Sequence, residues 1–210
     1  MKRMSRIYVA GSWKNEDEQQ KLVAALRQNG HKVYDFTRPK GVRMDNVWHD
    51  VNLDENECDM ESYETSLNEA NVRERFNSHV NAMMCADTCV LLLPCGRSAH
   101  AEAGFMAGMN KRVIVYNPSS KWKPELMYLL FDGEAGDLET LLKKIAEPVP
   151  GVCQVCGCTD NNPCLNPKVS DMYCHWANPE QTLCSFCADE EIANDPETIH
   201  CVNDTADIFM

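Results

Sequence analysis

The N-terminal part of this chain has the pattern that most constrains its fold: a strand, a helix and a second strand in close succession. The segments RIYVAG (6–11) and HKVYDF (31–36) have the apolar, β-branched character of buried strands. Between them, EQQKLVAALRQ places Leu22, Val23 and Leu26 on one helical face. Strands joined through a helix run parallel, because the crossover returns the chain to the end of the sheet where it started.

The same alternation continues to about residue 146. Asn15, with Glu18 three residues later, resembles a capping box at the start of the first helix. We expect two more strands, DTCVLLLP and RVIVY, and more helices at 66–86, 99–109, 123–131 and 137–146. In the first of these helices, one side carries Val72, Phe76, Val80 and Met83. The pattern predicts an α/β fold, with a Rossmann- or flavodoxin-like parallel sheet flanked by helices.

The segment EPVPG (147–151) is the clearest linker in the chain, because its two prolines and glycine end the last helix. Of the twelve cysteines, seven lie between 153 and 187. We therefore predict an α/β domain at residues 1–147 and a small Cys-rich zinc-binding module at residues 148–210.

The charge of the chain is unevenly distributed. Residues 1–150 carry 19 Lys and Arg against 22 Asp and Glu, whereas residues 151–210 carry one basic residue against ten acidic ones. Binding to nucleic acid depends on basic side chains that neutralise phosphates, so we expect no direct nucleic-acid partner. No apolar run reaches 18 residues, so we expect no membrane partner and a cytoplasmic location.

Two loops, GSWKN (11–15) and CGRSAH (95–100), directly follow the first and third predicted strands. In a parallel sheet, such loops meet at the carboxyl edge, where ligands bind. Glycine permits close backbone approach, hydroxyls donate hydrogen bonds, and arginine offers a forked donor. The candidate binding residues for a sugar or phosphate are Gly11, Ser12, Gly96, Arg97 and Ser98.

Glu102 lies in the helix that follows the second of these loops. A carboxylate that faces the anomeric carbon of a sugar can act as a nucleophile, because positive charge develops there in the transition state. A solvated glutamate that interacts with the helix dipole explains the residue equally well. The residue pattern alone leaves both interpretations open.

The segments IYVAGSW, ADTCVLLLP, GRSAHAEAGFMAGMNKRVIVY and KPELMYLLFD resemble the nucleoside 2-deoxyribosyltransferase and nucleotide N-glycosidase superfamily. They resemble still more closely a phage- and bacterium-associated group within it, over about residues 6–132. The resemblance implies that Glu102 is the nucleophile, that Tyr8 positions it, and that Gly11 and Ser12 bind the sugar-phosphate end. It also implies a nucleoside or nucleotide substrate and a homo-oligomer.

One position departs from the pattern of the superfamily, which usually has an acid/base Asp eight residues before the "AD" of the third strand. His79 stands there in this chain. Histidine transfers protons near neutral pH, so His79 could protonate the departing base. Alternatively, the transfer chemistry is lost and only ligand binding remains. A third interpretation is that His79 is an ordinary polar residue late in a helix. Asp87, beside the crevice, is a candidate binding residue for which a structural role is also open. Trp48, in the long loop 37–60, could cover a base or anchor the loop.

Two CxxC pairs dominate the C-terminal part. Four thiolates, from Cys153, Cys156, Cys184 and Cys187, match a closed tetrahedral structural zinc site. Such a site couples metal binding to folding. Candidate ligands of a second site are Cys158, Cys164, Cys174 and His175, although these could equally be buried thiols, and an iron–sulfur cluster is a weaker alternative. No organic cofactor is expected.

The C-terminal part also resembles a CxVCGCTD…C…CxW…LCSxC module found in phage and prophage proteins. Its acidic character is compatible with a basic protein partner. The leading hypothesis is an enzyme that cleaves or exchanges the N-glycosidic bond of a nucleoside or nucleotide. The alternative is a protein that binds nucleotides without turnover and uses the zinc module for interaction. A zinc-dependent hydrolase is disfavoured, because four thiolates leave zinc no open position for water.

Overall fold

The computed structural model describes residues 4–39, 44, 46–54, 57–160 and 163–199. It contains a five-stranded sheet in the order β2-β1-β3-β4-β5, in which every neighbouring pair is parallel. The predicted α/β fold is confirmed. The strands are β1 (Arg6–Ala10), β2 (Lys32–Tyr34), β3 (Thr88–Leu92), β4 (Arg112–Tyr116) and β5 (Glu134–Ala135). The helices are α1 (Glu16–Gln28), α2 (Val47–Asp50), α3 (Met60–Ser66), α4 (Ala70–Cys85), α5 (Arg97–Gly108), α6 (Leu138–Ala146), α7 (Ser185–Ala188) and α8 (Glu190–Ala193).

Helices cover both faces of the sheet, which explains why β3 and β4 are buried at every residue. Alternate residues of β1 point to opposite faces. Tyr8 packs with the residues of α4 and α5, and Val9 packs with those of α1 and α6. The fold therefore has three layers, and its two cores are separated by the sheet.

The structure corrects two details of the first and fourth helices. Asn15 makes no capping hydrogen bond, because it ends a short 3-10 helix (Trp13–Asn15) that Ser12 caps instead. Phe76 is 65% exposed, although Val72 and Met83 of the same predicted side are buried. Only the last part of α4 contributes to the core beside Tyr8, so the apolar side of this helix is not buried along its whole length.

After β4, two elements differ from the sequence prediction. The predicted helix at 123–131 is a 3-10 helix over Leu126–Leu130, and the two-residue strand β5 was not predicted. Among the described residues, no helix has the length and apolar character needed to span a bilayer.

The C-terminal cysteines form a third buried cluster with Phe186. The chain reaches this part from the end of α6. The carbonyl groups of Ile145, in the last turn of α6, and of Glu147 and Pro148, which follow the helix, accept hydrogen bonds from Arg112 of β4. The division at residue 147 stays a prediction.

The strand order places a topological switch point between β1 and β3. From β1 the chain crosses to β2 on one side, and from β3 it crosses to β4 on the other. In open α/β sheets, the loops diverge at such a point and leave a crevice at the carboxyl ends of the strands. The loop after β1 contains Gly11 and Ser12, and the loop after β3 leads to Gly96, Arg97 and Ser98 at the start of α5.

Candidate active site and metal centre

Glu102 of α5 lies beside Tyr8 and His79. Nδ1 of His79 is 3.3 Å from Oε1 of Glu102 and 3.4 Å from the hydroxyl oxygen of Tyr8. The Glu102 side chain is 18% exposed and that of His79 is 21% exposed, so solvent reaches this cluster. The three residues come from β1, α4 and α5, and the fold brings together all three candidate catalytic side chains.

Tyr8 is fully buried. Burial raises its pKa well above the ordinary value, and the charge of Glu102 and the hydrogen bond with that carboxylate raise the pKa further. Tyr8 therefore keeps its proton at neutral pH and serves as a neutral hydrogen-bond donor.

Two thiols near Glu102 are poor nucleophiles. Burial raises the pKa of Cys95 to about 12, and the nearby Glu102 charge contributes to the increase. Burial and the same charge also raise the pKa of Cys89. Because the thiolate is the reactive form of cysteine, neither thiol is an effective nucleophile at neutral pH.

The ring of His79 is held between aromatic side chains. Its centroid lies 6.1 Å from those of Tyr34 and Phe36. Nε2 is buried and has no hydrogen-bond partner among the described residues, whereas Nδ1 faces Glu102. Nδ1 is therefore the ring nitrogen through which His79 contacts Glu102 and Tyr8.

Asn15 connects the loops that follow β1 and β3. Its amide group donates hydrogen bonds to the carbonyl oxygens of Leu93 (3.3 Å) and Pro94 (3.5 Å). The two loops therefore meet at one edge of the sheet, as expected from the parallel arrangement. Sequence reasoning assigned Asn15 to a helix cap and missed this role, which depends on a neighbour 78 residues away.

The five candidate binding residues at this edge have different surroundings. The hydroxyl of Ser12 accepts a hydrogen bond from the Lys14 backbone N–H (3.2 Å). A Cβ atom on Gly11 would lie 2.3 Å from Oε1 of Gln19, so a neighbouring side chain already occupies this space. The remaining three residues are exposed at the beginning of α5: Gly96, Arg97 and Ser98.

Asp87 lies at the opposite edge of the sheet. Its carboxylate accepts hydrogen bonds from the backbone N–H of Arg6 (2.9 Å) and the hydroxyl of Thr88 (2.8 Å), where β1 and β3 begin. This placement supports the structural alternative for Asp87, and its role in substrate binding stays a prediction. The physical reason is the parallel register, which places Asp87 at the amino ends of the strands.

Trp48 lies in α2, and its ring centroid is 6.2 Å from that of Tyr63 in α3. This contact supports the interpretation of Trp48 as a loop anchor. Trp13 is nearer to the catalytic candidates, because its ring contacts Phe36 edge-on at 5.0 Å. Trp13 follows Ser12 directly. Its position just after a predicted strand is the sequence signal that could have placed it near the candidate site.

His100 and Tyr128 form a second polar pair near the start of α5. Nε2 of His100 is 3.0 Å from the hydroxyl oxygen of Tyr128, and the two rings are stacked. Nδ1 of His100 is 2.8 Å from the carbonyl oxygen of Gly96, which fixes the orientation of the imidazole. The sequence analysis did not single out either residue, because they are 28 positions apart.

The C-terminal cysteines lie close enough to hold metal. In one set, the Sγ atoms of Cys153, Cys156, Cys184 and Cys187 all lie within 4.8 Å of one another. This is the set that the two CxxC pairs predicted. Four convergent thiolates fit a structural metal ion, for which zinc stays our prediction.

A second set of sulfur atoms within the same limit consists of Cys156, Cys158, Cys164 and Cys184. It differs from the second site that the sequence predicted, because it takes two thiols from the first set. Cys174 lies next to it, with its Sγ 3.6 Å from that of Cys158. Among the described residues, neither Cys174 nor His175 belongs to a four-ligand set.

Comparisons with known proteins find similar solved structures, but with low sequence identity and low TM-scores. No family model matches the chain, and no curated protein matches it. One similar solved structure is the 2-deoxyribosyltransferase of Bacillus psychrosaccharolyticus, with 13% identity and a TM-score of 0.42 over 65% of this chain and 89% of the other. Another is the CMP N-glycosidase BcmB of Clostridium botulinum, with 13% identity and a TM-score of 0.35 over 66% of this chain and 95% of the other. At these values, the similarity establishes neither family nor activity.

Proposed function

We propose that the protein cleaves or exchanges the N-glycosidic bond of a nucleoside or nucleotide, with Glu102 as the nucleophile. The observation that carries this proposal is the contact of one partly exposed carboxylate with Tyr8 and His79 beside the switch point of a parallel sheet. The resemblance of the surrounding motifs to the deoxyribosyltransferase superfamily points to the same chemistry.

In the proposed reaction, a carboxylate oxygen of Glu102 attacks C1′ of the sugar as the bond from C1′ to the base breaks. The bonding electrons leave with the base, which takes up a proton, and the sugar becomes an ester of Glu102. Water then attacks C1′ to give the free sugar, or a second base attacks to give an exchanged nucleoside. Either step restores the carboxylate.

Tyr8 and His79 have separate tasks in this proposal. The neutral hydroxyl of Tyr8 orients the carboxylate toward the sugar. A proton on Nδ1 of His79 interacts with Glu102 while the carboxylate is charged. Because that charge disappears when the ester forms, the proton becomes available to the departing base.

One observation favours the second candidate, a protein that binds nucleotides without turnover. His79 directs Nδ1 toward Glu102 and has its other nitrogen buried against protein, so its contact with a base is limited. In this alternative, the cluster is a hydrogen-bonded binding surface and the metal-binding part serves for interaction.

Base release distinguishes the two candidates. Purified protein is incubated with a panel of ribo- and deoxyribonucleosides and their 5′-monophosphates, and free base is quantified by chromatography. We expect release that Glu102→Gln abolishes and that Glu139→Gln, at an exposed position of α6, leaves unchanged. No release from the whole panel, with equal ligand binding by Glu102→Gln and the unchanged protein, would overturn the proposal. Stabilisation by a nucleotide that stays intact would select the alternative.

We also propose a homo-oligomer, for which the surface at the 3-10 helix Leu126–Leu130 offers support. Leu126, Leu129 and Leu130 are all more than half exposed. Large exposed apolar patches mark interaction sites on protein surfaces, whereas single exposed apolar side chains are common and need no explanation. Tyr128 of the same helix bonds to His100, so an interface here would lie beside the candidate active site.

A further inference from the structure

The two four-cysteine sets have two members in common. Cys156 and Cys184 belong to both, with their sulfur atoms 3.8 Å apart. Cys153 and Cys187 complete one set, and Cys158 and Cys164 complete the other. All six thiols are buried or partly buried.

The sulfur separations fit metal coordination. With a zinc–sulfur distance of about 2.3 Å, two ligands of a tetrahedral site lie about 3.8 Å apart. Cys156 is 3.8 Å from Cys184 and 3.4 Å from Cys164, and no disulfide joins these residues. Cys156 therefore has suitable neighbours on both sides, one in each set.

Ligand number also favours sharing. Two separate closed sites need eight ligands, whereas the two sets contain six different thiols. If Cys156 and Cys184 each bind two ions, every ion has four sulfur ligands. Six thiolates with two divalent ions carry a net charge of about −2, whereas two separate four-thiolate sites carry about −4. The lower charge reduces the cost of burial.

A single ion in the first set leaves the other thiols unexplained. Cys158 and Cys164 are almost completely inaccessible to solvent, and their sulfur atoms point into the same small space as the shared pair. Buried cysteines commonly act as small apolar residues. Convergence of both sulfur atoms on Cys156 and Cys184 is explained more directly by a second ion.

We propose that Cys156 and Cys184 bridge two divalent metal ions, one completed by Cys153 and Cys187 and the other by Cys158 and Cys164. Zinc is the ion whose closed structural sites use four thiolates. Cys174 supports this cluster from outside, because its sulfur accepts a hydrogen bond from the Cys164 backbone N–H (3.0 Å). The proposal is independent of the glycosidic chemistry.

The test uses the full chain, loaded to saturation with zinc under reducing conditions and then freed of excess metal. Elemental analysis counts the ions, and X-ray absorption at the zinc edge detects a zinc neighbour. We expect about two zinc ions per chain, sulfur ligands at about 2.3 Å and a metal–metal scattering contribution. One zinc ion at saturation, two without metal–metal scattering, or iron with inorganic sulfide would each overturn the proposal.

Replacement by 113Cd gives a second readout that needs no variant. A shared thiolate couples the two cadmium nuclei, so two resonances with mutual splitting support bridging, whereas a single resonance or two uncoupled resonances contradict it. Among variants, Cys158→Ser should lose the second ion and the splitting. Cys58→Ser, at an exposed thiol outside the cluster, should keep both, as should Cys174→Ser. Loss of one ion in Cys174→Ser would contradict the proposed ligand set.

Discussion

Nδ1 of His79 lies 3.3 Å from Oε1 of Glu102, although the two residues belong to different helices and are separated by 23 positions. This contact connects His79, the residue at which the chain departs from the pattern of the superfamily that it resembles, to Glu102, the proposed nucleophile. Under the proposed function, His79 has one of two roles: it donates a proton to the departing base, or it only holds the carboxylate in place.

Replacement of His79 distinguishes these roles. Asparagine in His79→Asn retains a hydrogen-bond donor but carries no transferable proton. If His79 is a general acid, we expect base release to fall by about 10²- to 10⁴-fold with little change in nucleotide affinity. Steady-state kinetics and calorimetry provide the two measurements. Activity close to that of the unchanged protein would assign His79 a positioning role.

Tyr8→Phe tests the hydroxyl that orients Glu102. The substitution keeps the ring, which stacks on Tyr34 at 5.4 Å, and removes the hydrogen bonds to His79 and Glu102. We expect a loss of stability of about 0.5–1.5 kcal/mol and a decrease in the rate of base release.

Tyr34→Phe is the matched control, since it removes a neighbouring hydroxyl that bonds to Ser78 instead. Denaturant unfolding and base-release assays on both variants provide the comparison. Similar stability losses, with activity reduced only in Tyr8→Phe, agree with the proposed role. Equal activity in the two variants would contradict it.

Gly11→Ala tests the close approach between the loop after β1 and α1. The added Cβ would lie 2.3 Å from Oε1 of Gln19, and the Gln19 side chain also bonds to Asp35. We expect a loss of about 1–3 kcal/mol of unfolding free energy. In a Gln19→Ala background, the same substitution should cost less, because the clashing atoms are absent.

The control for Gly11→Ala is Gly104→Ala in α5. A Cβ atom there has no atom within 4 Å, and alanine is the better helix former. We expect this variant to gain up to about 1 kcal/mol. Urea unfolding measures the unchanged protein, the three single variants and the double variant. An equal cost of Gly11→Ala in both backgrounds would exclude the proposed clash.

The environment of Lys111 leads us to expect that the stability of the protein depends on pH. The ammonium group of Lys111 donates hydrogen bonds to the carbonyl oxygens of Met83, Met84 and Ala86 at the C-terminal end of α4. Burial lowers its pKa to about 8, from 10.5 for an ordinary lysine. Between these values the unfolded chain binds more protons than the folded chain, so the free energy of unfolding contributed by this group rises with pH.

The comparison that isolates this effect is Lys111→Met, which has no group that titrates there. From about pH 8 to about pH 10, we expect unfolding free energy to rise in the unchanged protein relative to this variant. Lys143→Met, at an exposed surface position, should follow the unchanged protein. Parallel curves for the unchanged protein and Lys111→Met would show that the folded pKa of Lys111 is not lowered.

The sequence predicts the sheet well because buried parallel strands leave a local signal. RVIVY is apolar after its first residue, Arg112, and coincides with β4, and the motif around Glu102 follows β3 directly. Glu102 could be singled out from its place after a buried strand, and the two CxxC pairs from residue type and spacing. Tyr8 followed only from the resemblance to the superfamily.

The parts that sequence reasoning missed depend on the arrangement of distant segments. Asn15 bonds to the loop after β3, and Cys156 has partners in two sets of thiols. Neither relation follows from spacing, because each requires the strand register or the path of a long loop.

The most direct measurement of the central claim is the detection of a sugar ester on Glu102. The protein is mixed with a substrate identified by base release, quenched in acid at short times, digested and analysed by mass spectrometry. We predict a peptide containing Glu102 whose mass is increased by one bound sugar residue, and no such adduct in Glu102→Gln. Base release without an adduct on this residue, or an adduct on another side chain, would contradict the account.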